Sequence, residues 1–388
     1  MGDPLRLVIL GAIGQHPLGG QTWLALNWLR GFAGLGHEVH YVEDQSAWPY
    51  DPVRMTRTAD SAYARRHIAS CMERIGLGDR WTLRVAGLEG ACWGSTEAEL
   101  AELYRSCDAL VNIAATDLTE MQLEAPFRIY VQTDPVTSEL QLANGHEYTR
   151  QAFDAHQEIL SYGENYGAPD CAVPLNGIRY GSTRQPVDLE LWPSAYEPQA
   201  RFFTTIGNYR QSGWEVEYRG DVYHWSKHLE WERFIDLPSR TEQPFELAVM
   251  PDDETDRARL EQHGWRLVAP YEMSLDVFGA YPEFIRGSRA EFTVAKDQNV
   301  RLRSGWFGER DACYLASGKP VVAQDTGFSN ILPTGEGLFA FTTADEALAA
   351  IDEINSDYAR HCAAARAIAE EFFEARGVAS RLLEAVGL

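Results

Sequence analysis

The sequence has few cysteines, and no pattern ties them to a disulfide framework or to a metal. Its 388 residues include six cysteines, and no two of them form a C-x-x-C pair. Scattered cysteines in a chain of this length are typical of reduced, buried thiols. The zinc motif H-E-x-x-H and carboxylate-rich calcium loops are also missing. We therefore expect no metal site.

Positive charge is scarce as well. The chain carries 34 Lys and Arg residues against 57 Asp and Glu residues, a formal net charge of −23 at pH 7. A negative field of this kind repels phosphate backbones and anionic lipids, so nucleic acid is a poor candidate for a large surface partner. A small anion can still bind where a few basic groups converge.

Long hydrophobic runs are absent too. No apolar stretch approaches the roughly 18 residues needed to cross a bilayer, and the first residues lack the basic and apolar segments of a secretory signal. We expect a cytoplasmic protein without a transmembrane segment. The hydrophobic share of 45% and charged share of 23% are those of a globular protein, and the length predicts two or three domains.

The hydrophobic pattern predicts two α/β units. The apolar run at residues 6–12 is typical of a strand buried on both faces of a parallel sheet, and alternating helices and strands follow it. Prolines interrupt the pattern around residues 170–200, and the alternation restarts at 201–206. We predict two doubly wound, Rossmann-like domains, 1–185 and 186–388, that face each other across a cleft, with a C-terminal helical tail. The predicted elements include helices near 56–75, 225–235, 253–263, 307–316, 344–354 and 358–373, and strands at 38–42, 81–85, 108–113, 128–131, 245–250, 265–269, 291–295 and 319–324.

A glycine-rich turn follows the first predicted strand and contains Gly19 and Gly20. Glycines at the start of a helix let a ligand approach backbone N–H groups, which bind anions. The turn is neither a G-x-G-x-x-G fingerprint nor a phosphate loop ending in G-K-[ST]. His16 in this turn could act as a base, and Asp117 or Asp134 could orient it or act as the base instead. A tight turn that binds nothing is the alternative.

Basic residues cluster ahead of the predicted helix at 307–316. The segment comprises Lys296, Arg301, Arg303, Ser304, Gly305, Trp306, Glu309 and Arg310. Backbone donors at a helix start and guanidinium groups together favour an anion. Pairing of these arginines with the surplus carboxylates is the alternative.

Two further polar segments follow predicted strands. Gln324, Asp325, Thr326 and Gly327 come directly after the strand at 319–324, where they could bind ligand hydroxyl groups or simply form a turn. Arg210 and Lys227 follow the strand at 201–206, and both could reach a diphosphate.

In these segments the chain resembles the GT-B glycosyltransferases, specifically a bacterial glycosyltransferase family 1-like group. The clearest match is SGWFGERDACYLASGKPVVAQDTGF at 304–328, followed by LPTGEGL at 332–338. The resemblance implies a nucleotide-sugar co-substrate, such as a UDP- or dTDP-sugar, held mainly by the C-terminal domain. It also implies an acceptor on the N-terminal domain and a hexosyltransferase-type reaction without a cofactor or a required metal.

The resemblance also implies roles for individual residues. The residues that would hold the diphosphate and nucleotide are Gly19, Gly20, Arg210, Lys227, Lys296, Arg303, Ser304, Gly305 and Trp306. The residues that would bind the sugar are Glu309, Gln324, Asp325, Thr326 and Gly327. His16 would deprotonate the acceptor. Retaining relatives often carry two glutamates where this chain has Gly305 and Cys313, so we expect inversion.

Two other functions stay open at this stage. A nucleotide-sugar epimerase on the same fold would turn over the donor without an acceptor. A non-catalytic protein would bind a nucleotide or sugar and transfer nothing. The acceptor, a small molecule or a glycan, and the oligomeric state are not specified by the residues.

Overall fold

The computed structural model describes residues 3–85, 88, 90–113, 117–250 and 254–388. Two parallel sheets form two lobes. The elements of the first lobe are β1 (Arg6–Leu10), α1 (Gly19–Gly34), β2 (Glu38–Gln45), β3 (Tyr50–Asp51), β4 (Thr56–Arg57), α2 (Ala62–Arg74), β5 (Trp81–Val85), β6 (Cys92–Trp93), α3 (Glu97–Ser106), β7 (Ala109–Asn112), β8 (Arg128–Gln132), α4 (Thr137–Ala143), α5 (Glu147–Asp154), β9 (Glu158–Ser161) and β10 (Gly181–Ser182).

The first sheet has eight strands in the order β10-β9-β8-β7-β1-β2-β5-β6. Strand β6 pairs antiparallel at one edge, and the other pairings are parallel. Strand β1 lies at the centre, and Leu7, Val8 and Ile9 are fully buried. Helices cover both faces, which explains why β1 reads as a continuous apolar run.

The second lobe is built in the same way. Its elements are β11 (Phe203–Asn208), β12 (Val216–Tyr218), β13 (Asp221–Tyr223), α6 (His228–Arg233), β14 (Phe245–Met250), α7 (Glu254–Gln262), β15 (Arg266–Leu267), α8 (Tyr271–Leu275), α9 (Ala280–Gly287), β16 (Ala290–Thr293), α10 (Asp297–Leu302), α11 (Glu309–Ala316), β17 (Val321–Gln324), β18 (Leu338–Phe341), α12 (Ala344–Ser356), α13 (Tyr358–Ile368) and α14 (Ala375–Ala385). Six parallel strands form its sheet in the order β15-β14-β11-β16-β17-β18.

Two segments of the second half cross to the first lobe. The hairpin β12–β13 lies outside the main sheet, and Asn144 of the first lobe donates a hydrogen bond to the carbonyl of Glu217 at 2.7 Å. Helix α14 packs on α1, where a Cβ at Gly31 would lie 2.6 Å from the carbonyl oxygen of Ala375. The C-terminal tail therefore stabilises the first lobe, although it follows the second lobe in sequence.

The predicted fold class is confirmed: two doubly wound α/β domains face each other, and the chain ends in helices. Several element boundaries were wrong. The helix predicted from residue 56 begins at Ala62, because Thr56–Arg57 pairs with Tyr50–Asp51 and Asp60 accepts a hydrogen bond from the Ala62 N–H at 3.1 Å. The helix predicted at 225–235 spans His228–Arg233, and the strand predicted at 265–269 spans Arg266–Leu267. Within the described ranges, no helix combines the length and apolar character needed to cross a membrane.

Candidate active site

The carboxyl ends of both sheets open onto one cleft of about 540 Å³ between the lobes. This edge is where parallel α/β sheets bind ligands, because loops and helix starts converge there. The residues that line the cleft are Leu18, Gly20, Gln21, Leu24, Thr133 and Asp134 from the first lobe, and Ile206, Gly207, Asn208, Arg210, Gln211, Lys227, Pro270, Tyr271, Ser274, Tyr281, Lys296, Trp306, Gly308, Glu309, Arg310 and Asp311 from the second.

Two of the three lysines in the chain, Lys227 and Lys296, line this cleft. Lys227 precedes α6, and its Nζ lies 5.5 Å from the centre of the Trp306 ring. Among the described residues, no carboxylate lies within 4.0 Å of that Nζ. Burial and the nearby Arg310 guanidinium lower the pKa of Lys227 to about 8. The cleft therefore holds a desolvated ammonium group without a carboxylate partner, which is an expensive arrangement unless an anion binds there.

Lys296 joins the two lobes electrostatically. It follows β16 and forms an ion pair with Asp134, which follows β8 of the first lobe. Its Nζ also lies 3.0 Å from the centre of the Trp225 ring. The other carboxylate oxygen of Asp134, Oδ1, is buried without a hydrogen-bond partner in the described part of the chain. The Asp134 side chain as a whole is one-third exposed, so its carboxylate group borders the cleft.

Arginines pack beneath and beside the cleft. Arg310 pairs with Glu291 and Asp311, and it donates a hydrogen bond to the Ile206 carbonyl at 2.7 Å, which fixes the end of β11. A Cβ at Gly207 would lie 3.1 Å from the Arg310 guanidinium, so glycine leaves room for this contact. Arg210 makes two hydrogen bonds to Asp256, at 2.9 and 3.0 Å.

Glu309 is the first residue of α11 and faces the cleft from the second lobe. Burial raises the pKa of its carboxyl group to about 7, and the negative charges of Asp134 and Asp311 act in the same direction. Near neutral pH, this group can therefore either donate or accept a hydrogen bond.

No protein-family model and no curated protein sequence matches the chain. Solved structures match it in fold. An alpha-glucosyltransferase in complex with UDP and a 13-mer DNA aligns over 100% of both chains, with a TM-score of 0.63 and 11% identity. Anabaena HepE in complex with UDP and glucose aligns over 99% of both chains, with a TM-score of 0.57 and 14% identity. Sucrose-phosphate synthase from Thermosynechococcus elongatus aligns over 98% of both chains, with a TM-score of 0.55 and 10% identity.

The chain has the GT-B fold. The GT-B cleft lies between the two lobes and brings together several of the residues singled out in the sequence: Gly20, Asp134, Arg210, Lys227, Lys296, Trp306 and Glu309. Trp306 lies under Lys227, and its ring N–H donates to the Thr133 carbonyl at 3.1 Å. Gly19 lies beside the cleft, where a Cβ would collide with the Tyr281 ring at 2.4 Å.

His16 lies apart from these groups. Leu18 and Gly20, from the turn after β1, line the GT-B cleft. His16 lies in the same turn but is not among the described residues that line the cleft. His16 is exposed, and its Nε2 lies 3.3 Å from the Arg57 guanidinium. Partial desolvation of the ring and the charge of Arg57 lower the pKa of His16. Asp134 lines the cleft and His16 does not.

A buried carboxyl group shapes the same turn. Glu43, at the end of β2, accepts hydrogen bonds from the N–H groups of Gly14 and Gln15 at 2.5 and 3.0 Å, and from the hydroxyl of Tyr41 at 2.5 Å. Burial raises the pKa of Glu43 to about 7. Glu43 therefore positions the turn that leads to Gly20.

The remaining predicted ligands form an inter-lobe latch, the contacts of residues 303–305 and 324–327 with the loop at 165–170. Arg303 pairs through Nε with Asp170 at 2.7 Å and through Nη1 with Asp325 at 3.1 Å, which directs its guanidinium group to these carboxylates. The backbone N–H of Asn165 donates to the carbonyl of Ser304 at 3.1 Å. A Cβ at Gly305, which has a φ of 84°, would lie 2.3 Å from that same nitrogen. These contacts hold the two lobes together.

The predicted sugar ligands that follow β17 belong to this latch or to the core beside it. Gln324 is buried, donates to Glu230 and accepts from the Ala295 N–H at 3.1 Å. Asp325 accepts from the Gly327 N–H at 2.9 Å, and Thr326 donates to the Trp306 carbonyl. The structure does not bring these four residues into the lining of the GT-B cleft.

Asp117 lies outside the lining of the GT-B cleft. Asp117 lines a second pocket, together with Thr133 and Asp134, and burial raises the pKa of Asp117.

The structure gives no support for a metal site among the described residues. His224 and His228 are four positions apart, as two metal ligands on one helix would be, but α6 begins at His228, so the two residues do not share a helix. In the described ranges, no three His, Cys, Asp or Glu side chains are grouped to hold a metal ion.

Sequence reasoning missed several cleft residues, including Gln21, Asn208, Tyr271 and Tyr281. Gln21 lies in the first turn of α1, Asn208 ends β11, and Tyr271 and Tyr281 lie in the short helices α8 and α9. One unused signal was the scarcity of lysine. The chain has three lysines, and its basic surface relies on arginine, so each lysine deserved separate scrutiny.

Proposed function

We propose that this protein transfers a sugar from a nucleoside diphosphate sugar to an acceptor hydroxyl group. One observation carries the proposal: Lys227 places an ammonium group without a carboxylate partner within 4.0 Å, among the described residues, in the cleft of a chain whose net charge is −23. A diphosphate would compensate the desolvation of this group through charge-assisted hydrogen bonds.

The donor we propose is a UDP-sugar. Two structures with the same fold are complexes with UDP, the alpha-glucosyltransferase and HepE. In this chain the diphosphate would lie beside Lys227 and Lys296, and Glu309 would bind a hydroxyl group of the sugar. The reaction needs no cofactor in this proposal, and a metal-independent reaction remains our expectation.

Asp134 is our candidate for the base, in place of His16. Its carboxylate group would take the proton of the acceptor hydroxyl as the hydroxyl oxygen bonds to the anomeric carbon. The bond from the anomeric carbon to the diphosphate oxygen breaks, and its electron pair leaves with UDP. Lys227 and Lys296 would stabilise the negative charge that develops on the leaving oxygen.

A single displacement of this kind inverts the anomeric configuration. One structure of this fold is named an alpha-glucosyltransferase, so the outcome needs its own measurement. NMR of the first product formed from α-configured UDP-glucose should show a β-linkage. A product with the α-configuration would contradict single displacement by an oxygen activated at Asp134.

The other two functions differ in simple assays. An epimerase would convert UDP-glucose without an acceptor, and a non-catalytic protein would bind UDP without releasing it from UDP-glucose. A DNA acceptor, such as the one in the alpha-glucosyltransferase complex, is disfavoured here by the net charge of −23.

The first experiment is a thermal-shift comparison of UDP, dTDP, GDP and ADP, followed by UDP release from UDP-glucose. A ligand present at 100 times its dissociation constant stabilises a protein by about 2.7 kcal/mol. We expect UDP to give the largest shift. An absence of response to all four nucleotides would refute the proposed function.

A further inference from the structure

A second pocket opens beside the GT-B cleft and has no role in donor binding. It encloses about 480 Å³, and its wall includes Tyr130 and Phe153 of the first lobe and Trp214 and Trp225 of the second. Thr133 and Asp134 line both this pocket and the cleft. The Asp134 side chain therefore lies where the two spaces meet.

The second lobe contributes to the wall of this pocket through one segment, which we call the arm. The arm comprises residues 209–227 and includes the hairpin β12–β13. The arm packs on the first lobe, where Val216 and Tyr223 belong to one apolar cluster with Val136 and Leu140. Trp214 and Trp225 flank the hairpin, and their ring centres lie 5.9 Å apart. Trp214 is 57% exposed, which is unusual for a residue of this size unless it meets a partner.

Charge narrows the choice of occupant. The pocket wall contains the carboxylates of Asp117 and Asp134, and among the described residues that line it there is no lysine or arginine. Lys296 contacts Trp225 and Asp134 of this wall, but it is already paired with the Asp134 carboxylate. A phosphorylated or carboxylated molecule would meet these carboxylates without an unpaired cation in the described lining. The occupant is therefore uncharged or cationic, in contrast to the donor in the adjacent cleft.

The polar groups of the pocket wall restrict the chemistry of the occupant further. His156 donates from Nδ1 to the Ala152 carbonyl at 2.9 Å, which leaves Nε2 as an acceptor, 3.2 Å from the amide nitrogen of Asn112. Burial lowers the pKa of His156 to about 4, so the ring is neutral. Thr137 and Gln141 add further polar groups to the wall. Thr137 donates to Gln298 at 3.0 Å and Gln141 accepts from Thr149 at 2.9 Å, and the Thr137 oxygen and the Gln141 amide each keep further hydrogen-bonding capacity. A flat hydrocarbon would cover that remaining capacity without using it, which costs free energy.

We propose that this pocket binds the acceptor and that the acceptor is a neutral carbohydrate. A sugar ring has an apolar C–H face that stacks on an indole, and hydroxyl groups around its edge that pair with amide, hydroxyl and carboxylate groups. A hydroxyl group held at the junction would lose its proton to the Asp134 carboxylate group and bond to the anomeric carbon of the donor while UDP departs. This inference rests on the proposed function, because it names the second substrate of the same reaction.

The test is a saturation-transfer NMR titration of the full chain in the presence of UDP. The probes are glucose, galactose, maltose, cellobiose and lactose as neutral sugars, glucose 6-phosphate as an anion and naringenin as a planar aromatic molecule. UDP affinity is measured first by calorimetry. If UDP does not bind, the proposed function itself is wrong. If UDP binds, the result with the sugars judges the acceptor pocket alone.

We expect at least one neutral sugar to bind saturably, and glucose 6-phosphate to bind more weakly than glucose. Trp214→Ala should weaken sugar binding about 2- to 12-fold, the range for loss of one ring contact, and leave UDP affinity unchanged. Trp48→Ala is the matched control, because Trp48 is 50% exposed and lies outside both pocket linings. The inference is overturned if no neutral sugar binds, if naringenin or the phosphate binds in preference, or if Trp214→Ala and Trp48→Ala bind sugar equally.

Discussion

Replacement of Lys227 by methionine separates its role in binding from any role in folding. Lys227 is desolvated, and no carboxylate among the described residues lies within 4.0 Å of its Nζ. Its loss should therefore leave the free protein as stable as before, or more stable. A hydrogen bond to a charged group contributes about 1.5–3 kcal/mol, so UDP affinity should fall about 12- to 160-fold.

The pH dependence of UDP affinity tests the role of Lys227 independently. The protonated ammonium binds the diphosphate, and the pKa of Lys227 is lowered to about 8 in the free protein. The protonated fraction falls about tenfold between pH 7 and pH 9, so wild-type affinity should fall by about the same factor. The terminal phosphate of UDP is already mostly ionised at pH 7 and adds little to this change. Lys227→Met should lose this tenfold component and keep only the smaller change from Glu309, whose pKa is raised to about 7.

Isothermal titration calorimetry with UDP at pH 7 and pH 9 measures both effects. Lys319→Met is a control, because the pKa of Lys319 is likewise lowered to about 8 by desolvation, and Lys319 is buried outside the cleft lining. It should bind UDP like the wild type at both values of pH. The reasoning fails if Lys227→Met binds UDP within threefold of the wild type, or if it keeps the wild-type pH dependence.

Three further predictions concern the base, the latch and the turn. Asp134→Asn should slow UDP release from UDP-glucose about 10²- to 10⁴-fold and retain UDP binding in calorimetry, whereas an unchanged rate would exclude Asp134 as the base. Gly305→Ala should lower the free energy of unfolding in a denaturant titration by more than Gly335→Ala, because both have positive φ but only Gly305 has a neighbour within 4 Å of the added Cβ; equal losses would contradict a tight latch. The pKa of Glu43 is raised from 4.5 to about 7 on folding, so the folded state binds the extra proton and stability should fall by up to about 3 kcal/mol as pH rises from 4.5 through 7. Denaturant titrations of Glu43→Gln across this range should lack that component, and an identical slope would refute the assignment.

The parts of the fold that the sequence predicts are those where burial dictates the pattern. Strands β1 and β17 lie inside their sheets and are covered on both faces, so they appear as apolar runs. The cleft follows from them, because the carboxyl ends of parallel strands share one edge. Lys296 and Asp134 could be selected in advance, since they come directly after the buried strands β16 and β8, whereas Lys227 comes after the hairpin β12–β13.

Long-range contacts were beyond the reach of local patterns. The hairpin β12–β13 is short and partly exposed, so nothing in its sequence announces that it carries Trp214 and Trp225 to the other lobe. The roles of Arg303 and Asp325 were equally hidden, because an arginine near a helix start has the same local pattern whether it binds a ligand or a distant carboxylate. Asp170, which pairs with Arg303, lies 133 positions from it in sequence.

The most direct measurement is a crystal structure of the protein with UDP. We expect the diphosphate in the cleft between the lobes, with a phosphate oxygen about 2.7–3.2 Å from Lys227 Nζ and Lys296 on the same side of the ligand. UDP bound outside the cleft, or bound with its phosphates turned away from both lysines into solvent, would contradict the proposed site and the transfer reaction built on it.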